Sequence, residues 1–213
     1  MRFSTLLFDL DDTLYPSNSG LWQAIRSRID NYMHNRLGIP WEEIPELRKQ
    51  YYEGYGTTLR GLQANYGVDG NDYLSFVHDV PLEDYIKPDP KLGALLESLP
   101  QSKWIFTNAD GRYAERVLDI LDVRDYFAGV VDVRAINFTA KPMTEAYNRA
   151  LELIRESNPG RCVLLDDSPR NLAWARSLGY FTVLVGSVDP HPEVHRNVPQ
   201  LYDLPEYVPE LWE

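Results

Sequence analysis

Two acidic clusters end apolar runs in this sequence, and carboxylates so placed can bind a metal or attack an electrophile. "LLFDLDDTLYP" carries Leu6, Leu7 and Phe8 straight into Asp9, Asp11 and Asp12, with Thr13 close behind. "CVLLDD" closes on Asp166 and Asp167. In an extended chain Asp9 and Asp11 point one way and Leu10 the other. Carboxylates gathered on one edge repel unless a hard cation neutralises them. Oxygen donors of this kind suit Mg²⁺, which keeps some waters and leaves room for phosphate oxygens.

Other polar residues stand at comparable places. "WIFTNAD" puts Thr107 and Asn108 at the end of an apolar run, able to donate hydrogen bonds to an anion. Lys141, in "AKPMTEAY", precedes a helical pattern and supplies a positive charge that a phosphoryl group and a carboxylate can share. The set meets the needs of phosphoryl transfer through an aspartyl phosphate. One carboxylate attacks, a second handles the proton, and Mg²⁺ with Lys141 holds the phosphoryl oxygens.

The elements that must position these groups follow from hydrophobic periodicity. "FSTLLFD", "KWIFTN", "GVVDV", "RCVLLDD" and "YFTVLVG" have the length and composition of strands. "RYAERVLDILDV" and "KPMTEAYNRALELI" have helical spacing between them. "SPRNLAWARSLG" opens with a Ser-Pro helix start and ends on Gly179. Alternating strands and helices, with strands apolar on both faces, predict an α/β fold with a doubly wound parallel sheet. The carboxyl ends of its strands form the expected ligand edge. Residues 17–87 break the alternation, and a structureless loop of that length would be abnormal. They are expected to form an all-helical subdomain inserted after the first strand, leaving 1–16 and 88–213 as the α/β core. "IKPDPKLGALLESLP" returns the chain to the sheet, with Asp89 as cap and Pro90 in the first turn. The Pro-rich tail from Asp189 to Glu213 is expected to pack as irregular structure.

Composition narrows the partners. The 213 residues include 21 Lys plus Arg against 32 Asp plus Glu, a formal charge of −11. That balance argues against wrapping a nucleic-acid polymer, which needs a basic face. Cys162 is the single cysteine, so no intrachain disulfide is possible and a reducing compartment is expected. No apolar run reaches the roughly 18 residues of a membrane span, and no secretory leader is read at the N-terminus. A cytoplasmic protein with a small phosphorylated metabolite as substrate is the expectation.

The motifs together resemble the haloacid dehalogenase-like hydrolase superfamily over nearly the whole chain. "FDLDDTL" looks like its first motif, "IFTN" its second, Lys141 its third and "LLDDSPRN" its fourth. The resemblance implies a Rossmann-like core and Asp9 as nucleophile and Mg²⁺ ligand. It implies Asp11 as general acid/base, with its main-chain carbonyl on the metal. Thr107 and Asn108 would then bind the phosphoryl group, Lys141 would orient Asp9, and Asp166 and Asp167 would hold Mg²⁺. Dehalogenases of the superfamily lack the second aspartate and phosphatases have it, so Asp11 implies a phosphatase. The helical insert corresponds to the cap that closes over such sites. Its stretch "YYEGYGTTLRGLQANYG", like the opening "FDLDDTLYPSNSGLW", resembles pyrimidine 5′-nucleotidases of the superfamily. A pyrimidine nucleoside 5′-monophosphate is the implied substrate, with a sugar phosphate or a broad set of esters as the alternative. Tyr51, Tyr52, Tyr55 or Arg60 could face base or sugar, although Tyr51 and Tyr55 also have the spacing of a helix-packing stripe.

Other readings compete with this one. Response-regulator receiver domains also join an acidic cluster, a Thr and a Lys on a doubly wound sheet and carry an aspartyl phosphate. Here the motif order differs, and a large insert is present. A catalytically idle member of the fold that only binds a partner is a further alternative. "HPEVH" spaces His191 and His195 like a helical metal pair, but the neighbouring prolines disfavour a helix. His34 and His78 are read as surface or packing residues, and Gly54 and Gly56 as no part of a nucleotide-binding loop.

Overall fold

The computed structural model describes residues 2–213 and contains six parallel strands. β1 is Thr5–Phe8, β2 Ser102–Phe106, β3 Gly129–Val131, β4 Cys162–Asp166, β5 Phe181–Val185 and β6 Arg196–Val198. Their order across the sheet is β3-β2-β1-β4-β5-β6. All five strands expected from the sequence are present. The chain leaves β1 for β2 on one side and later returns to β4 on the other. The crevice of this open sheet therefore lies at the carboxyl ends of β1 and β4. Phe8 pairs in register with Ile105 and with Leu165, so the residues just beyond share one edge.

Strand alternation separates two cores. Leu6 and Phe8 pack on one face with the helical insert, while Leu7 packs on the other with Tyr147, Ala150 and Leu172. Both faces are covered, which is why β1, β4 and β5 read as continuous apolar runs. Cys162 is buried on the second face, where burial pushes its thiol up to about 12, so it is an inert core residue.

The helices of the core are α5 (Pro90–Ser98), α6 (Gly111–Leu121), α7 (Thr144–Ile154) and α8 (Pro169–Ser177). Asp89 caps α5 by accepting from Leu92 N, with Pro90 in the first turn, as the sequence predicts. Ser168 caps α8 in the same way, placing that helix start directly after Asp166 and Asp167. The tail differs from expectation. It adds β6 beside β5 and a short helix, α9 (Leu204–Tyr207), whose Leu204 is buried. Three residues of strand are too few for a periodicity to show.

Between β1 and β2 run α1 (Leu21–Leu37), α2 (Ile44–Tyr55), α3 (Thr58–Tyr66) and α4 (Gly70–Val77). α2 and α3 pack closely because Gly61 has no side chain; a Cβ there would lie 2.2 Å from the Tyr51 ring. The insert is tied to the core by arginines. Arg170 donates to Tyr52 O and Glu53 O at 2.7 and 2.9 Å, and Arg60 to Phe138 O at 3.1 Å. Arg116 donates to His78 O and Val80 O. Among the described residues no helix is long and apolar enough to cross a membrane.

Candidate active site

Asp9 follows the last residue of β1, and its N–H donates to Leu165 O at 2.8 Å, which locks it beside β4. Thr107 follows β2 in the same way and donates its N–H to Val131 O. Asp166 is the last residue of β4, with no exposure at all. Lys141 reaches this edge from the loop before α7, and its ammonium is buried among three acceptors. Nζ lies 2.8 Å from Asp9 Oδ1, 2.7 Å from Asp166 Oδ2 and 2.7 Å from Phe106 O. All three ammonium protons thus have partners.

One ammonium does not balance the carboxylates. Oxygens of Asp9, Asp166 and Asp167 come within 4.8 Å of one another, the one such group found among the described residues. Burial pushes Asp9 well above the usual carboxylate range; Lys141 opposes this, while Asp166, Asp167 and Asp11 add to it. Asp167 is pushed up to about 7 by burial and by the Asp166 charge. Burial alone would lower the Lys141 ammonium, but Asp166 and Asp9 outweigh it and hold it above the ordinary lysine range. Asp12, in left-handed backbone at φ 57°, keeps Oδ1 buried at the cavity wall without a hydrogen-bond partner among the described residues. An excess of desolvated carboxylate oxygens fits a hard divalent cation.

The polar groups around this cluster are fixed in turn. Asn171 Nδ2 donates to both oxygens of Asp166 at 3.1 and 3.2 Å, and Ser168 N to its Oδ1 at 2.9 Å. Thr107 Oγ1 accepts from Ala109 N at 3.0 Å, leaving its hydroxyl proton free to donate. Asn108 departs from the simplest expectation. Its side-chain amide pairs with the Lys141 main chain, accepting from N at 2.8 Å and donating to O at 3.1 Å. It braces the lysine, which leaves its backbone N–H and the second Nδ2 proton for an anion.

A cavity of about 670 Å³ opens over these residues and extends beneath the insert. Asp9, Asp11, Thr107, Asn108, Lys141 and Asp167 line its floor. Its far wall carries Trp22, Arg26, Arg48, Lys49 and Tyr52 from α1 and α2, with the apolar Ile25, Leu59 and Leu74 between. Tyr51, Tyr55 and Arg60 are not among the lining residues. Tyr51 is buried against Gly61, Tyr55 packs edge-on to it at 6.0 Å, and Arg60 spends its guanidinium on Phe138 O. Tyr51 and Tyr55 pack within the insert and Arg60 ties it to the core, so the structure places the three expected substrate contacts away from the cavity lining. Tyr52, one residue on and about 100° around the helix, is the α2 tyrosine that faces the cavity, and Tyr73 of α4 lines it as well.

Sequence reasoning missed Asn171, Tyr15, Tyr113 and Asp110. Asn171 lay in plain view, one turn into the helix that "DDSPRN" begins. His78 is also more than a packing residue. It lines the cavity, stacks on Tyr113 at 4.3 Å and places Nδ1 3.1 Å from Asp110 Oδ2. His34 follows the packing reading, stacked on Trp41 and bonded to Ile39 O. Neither His191 nor His195 belongs to the acidic cluster.

A doubly wound, Rossmann-like parallel sheet thus gathers acidic groups, a buried lysine and a threonine at one carboxyl edge, beside its switch point. A family model for haloacid dehalogenase-like hydrolases matches residues 3–179, and the chain belongs to that family. This removes the receiver-domain reading. Phosphate metabolism protein 8 of Saccharomyces cerevisiae is 32% identical in an alignment of 186 residues that covers 81% of this chain; the chain spans 58% of that relative's length. The HAD-hydrolase YfnB of Bacillus subtilis, solved bound to magnesium, superposes with a TM-score of 0.65 at 20% identity over 97% of this chain and 98% of its own. The HAD phosphatase of Thermococcus onnurineus gives 0.64 at 21% identity over 96% and 97%.

Proposed function

We propose that this chain is a Mg²⁺-dependent phosphatase that hydrolyses a small phosphomonoester through a phosphoryl group carried on Asp9. The observation that carries the reading is the shared contact of Lys141 with Asp9 and Asp166 at the sheet edge, with Asp11 two residues beyond Asp9. Asp9 Oδ1 is held by the lysine, and its other oxygen is the attacking atom. The Thr107 hydroxyl and the Asn108 N–H donate to phosphoryl oxygens, and Lys141 offsets their charge. Asp11 gives a proton to the leaving alkoxide and then takes one from the water that cleaves the acyl phosphate. Asp9, Asp166, Asp167 and the Asp11 carbonyl would hold Mg²⁺. When bound, the ion offsets the charge of the carboxylates and of the phosphoryl oxygens.

Binding of the ion has a signature that needs no turnover. Carboxylates whose folded pKa is raised bind more protons folded than unfolded, so the contribution of Asp167 to stability falls as pH rises from about 4 to about 7, and that of Asp9 falls in the same direction. A divalent cation neutralises them and must displace those protons below pH 7. Mg²⁺ is therefore expected to raise Tm little at pH 5.5 and strongly at pH 8, with Na⁺ at equal ionic strength giving no such rise. A shift as large at pH 5.5 as at pH 8 would count against the cluster as the binding site.

Residues 17–87 act as a cap over the core formed by 1–16 and 88–213. Their helices supply the cavity wall opposite the acidic floor, and the volume is within the roughly 300–1,000 Å³ of small-molecule sites. We take a pyrimidine nucleoside 5′-monophosphate as the substrate, supported by the likeness of "YYEGYGTTLRGLQANYG" to nucleotidases and by Trp22 and Tyr52 as stacking faces. Phosphate release with Mg²⁺ from UMP, CMP, AMP and several sugar phosphates tests this. UMP or CMP is expected to give the highest kcat/KM, and Trp22→Ala to lower it about 10-fold or more, the worth of one stacked base. A sugar phosphate preferred over both pyrimidines would overturn the assignment.

A further inference from the structure

Asp11 has an environment that its motif does not explain. Its Oδ1 accepts from Tyr15 OH at 2.5 Å and from Tyr113 OH at 2.6 Å, and the two hydroxyls are 3.3 Å apart. Oδ2 accepts no hydrogen bond from the described residues. Both tyrosines are almost fully buried, Tyr15 on the loop after β1 and Tyr113 in the first turn of α6.

The ring of Tyr113 is fixed from two sides. Asp110 caps α6 by accepting from Arg112 N and Tyr113 N with Oδ1, at 2.8 and 3.1 Å. Its Oδ2 meets His78 Nδ1, and the His78 imidazole lies 16° from parallel to the Tyr113 ring. His78 ends α4, so a residue of the insert covers the tyrosine that grips Asp11. Two buried phenols converging on one carboxylate oxygen are more than the fold requires, since β1 and α6 are already held by their own caps and ladder.

We propose that Tyr15 and Tyr113 are positioning residues for Asp11: their hydroxyls anchor Oδ1 and leave Oδ2 as the one oxygen that exchanges the proton. This rests on the reading of Asp11 as acid and base. In the first step Asp9 forms its bond to phosphorus as the ester P–O bond breaks, and the proton moves from Asp11 Oδ2 to the leaving oxygen. In the second step a water oxygen bonds to phosphorus and gives its proton to Oδ2. The bond from Asp9 to phosphorus breaks, and inorganic phosphate leaves. A carboxyl group free to rotate would present a protonated oxygen to the leaving group only part of the time.

The test reads a property that a merely structural tyrosine does not move. kcat/KM covers the steps through departure of the leaving group, and an acidic phenol departs without a proton where an alcohol does not. Tyr15→Phe, Tyr113→Phe and the double variant are compared with wild type on p-nitrophenyl phosphate and on the alkyl phosphate that wild type turns over best. The expected result is a fall in kcat/KM of about 10- to 100-fold on the alkyl ester, part of what acid–base catalysis supplies. On the aryl ester the expected fall is about threefold or less. Equal losses on both esters, or none on either, would overturn the proposal. Asp11→Asn, run beside them, separates the two layers. If it too shows no dependence on the leaving group, the acid–base reading itself fails; if only the tyrosine variants lack it, the positioning role fails alone. An unchanged Mg²⁺-dependent Tm shift in each variant confirms that the fold and the acidic cluster are intact.

Discussion

Asp9→Asn is expected to lower turnover by about 10⁴-fold or more, the scale of losing a nucleophile, in a protein that still folds. The amide is the same size as the carboxylate and its oxygen can still accept from Lys141, which also keeps Asp166 at 2.7 Å and Phe106 O at 2.7 Å. The substitution removes one of the charges that Asp166 and Asp167 repel. Without Mg²⁺ at pH 8, Tm of this variant is therefore expected to equal or exceed that of wild type. Phosphate release and thermal melting on the same preparation check both halves. Substantial turnover in the variant would show that the attacking group lies elsewhere.

Lys141→Met is the second large effect, and here stability and activity fall together. The lysine is 1% exposed, and its removal leaves Asp9 and Asp166 facing each other at the buried end of the sheet. Breaking a buried ion pair from one side costs about 3–5 kcal/mol. For a chain of this size that corresponds to a fall in Tm of roughly 6–20 °C. The two freed carboxylates take up protons more readily, so the deficit should shrink at pH 5 and widen at pH 8. Mg²⁺ should restore part of it. Turnover should fall by about 10²–10³-fold even where the variant is folded, since a charge aimed at the phosphoryl oxygens is gone. A variant as stable as wild type at pH 8 would contradict the ion-pair account.

The core was legible because its chemistry sits at strand ends in chain order. Asp9, Thr107 and Asp166 each close an apolar run, and a parallel sheet brings such ends to one edge. Lys141 was legible for its place before a helix, although nothing local showed that it would touch both Asp9 and Asp166. The cap residues were harder. Tyr51, Tyr52 and Tyr55 share one helix, and which of them meets the cavity depends on how α2 turns against α3, fixed by Gly61. A stripe at i and i+4 identifies a packing face, and that is where Tyr51 and Tyr55 went. Tyr113 and His78 were invisible for a different reason. Tyr113 meets Asp11 across 102 positions and His78 meets Asp110 across 32, so no window of sequence holds either pair.

The acyl phosphate on Asp9 is the central claim, and Asp11→Asn with p-nitrophenyl phosphate tests it most directly. The nitrophenolate leaves without an acid, but the second step lacks its base, so the protein should stop after one event. A burst of one nitrophenolate per chain is expected, with phosphoryl label on the peptide containing Asp9, released by hydroxylamine. Steady release without a burst, or a burst with label on another residue, would contradict it.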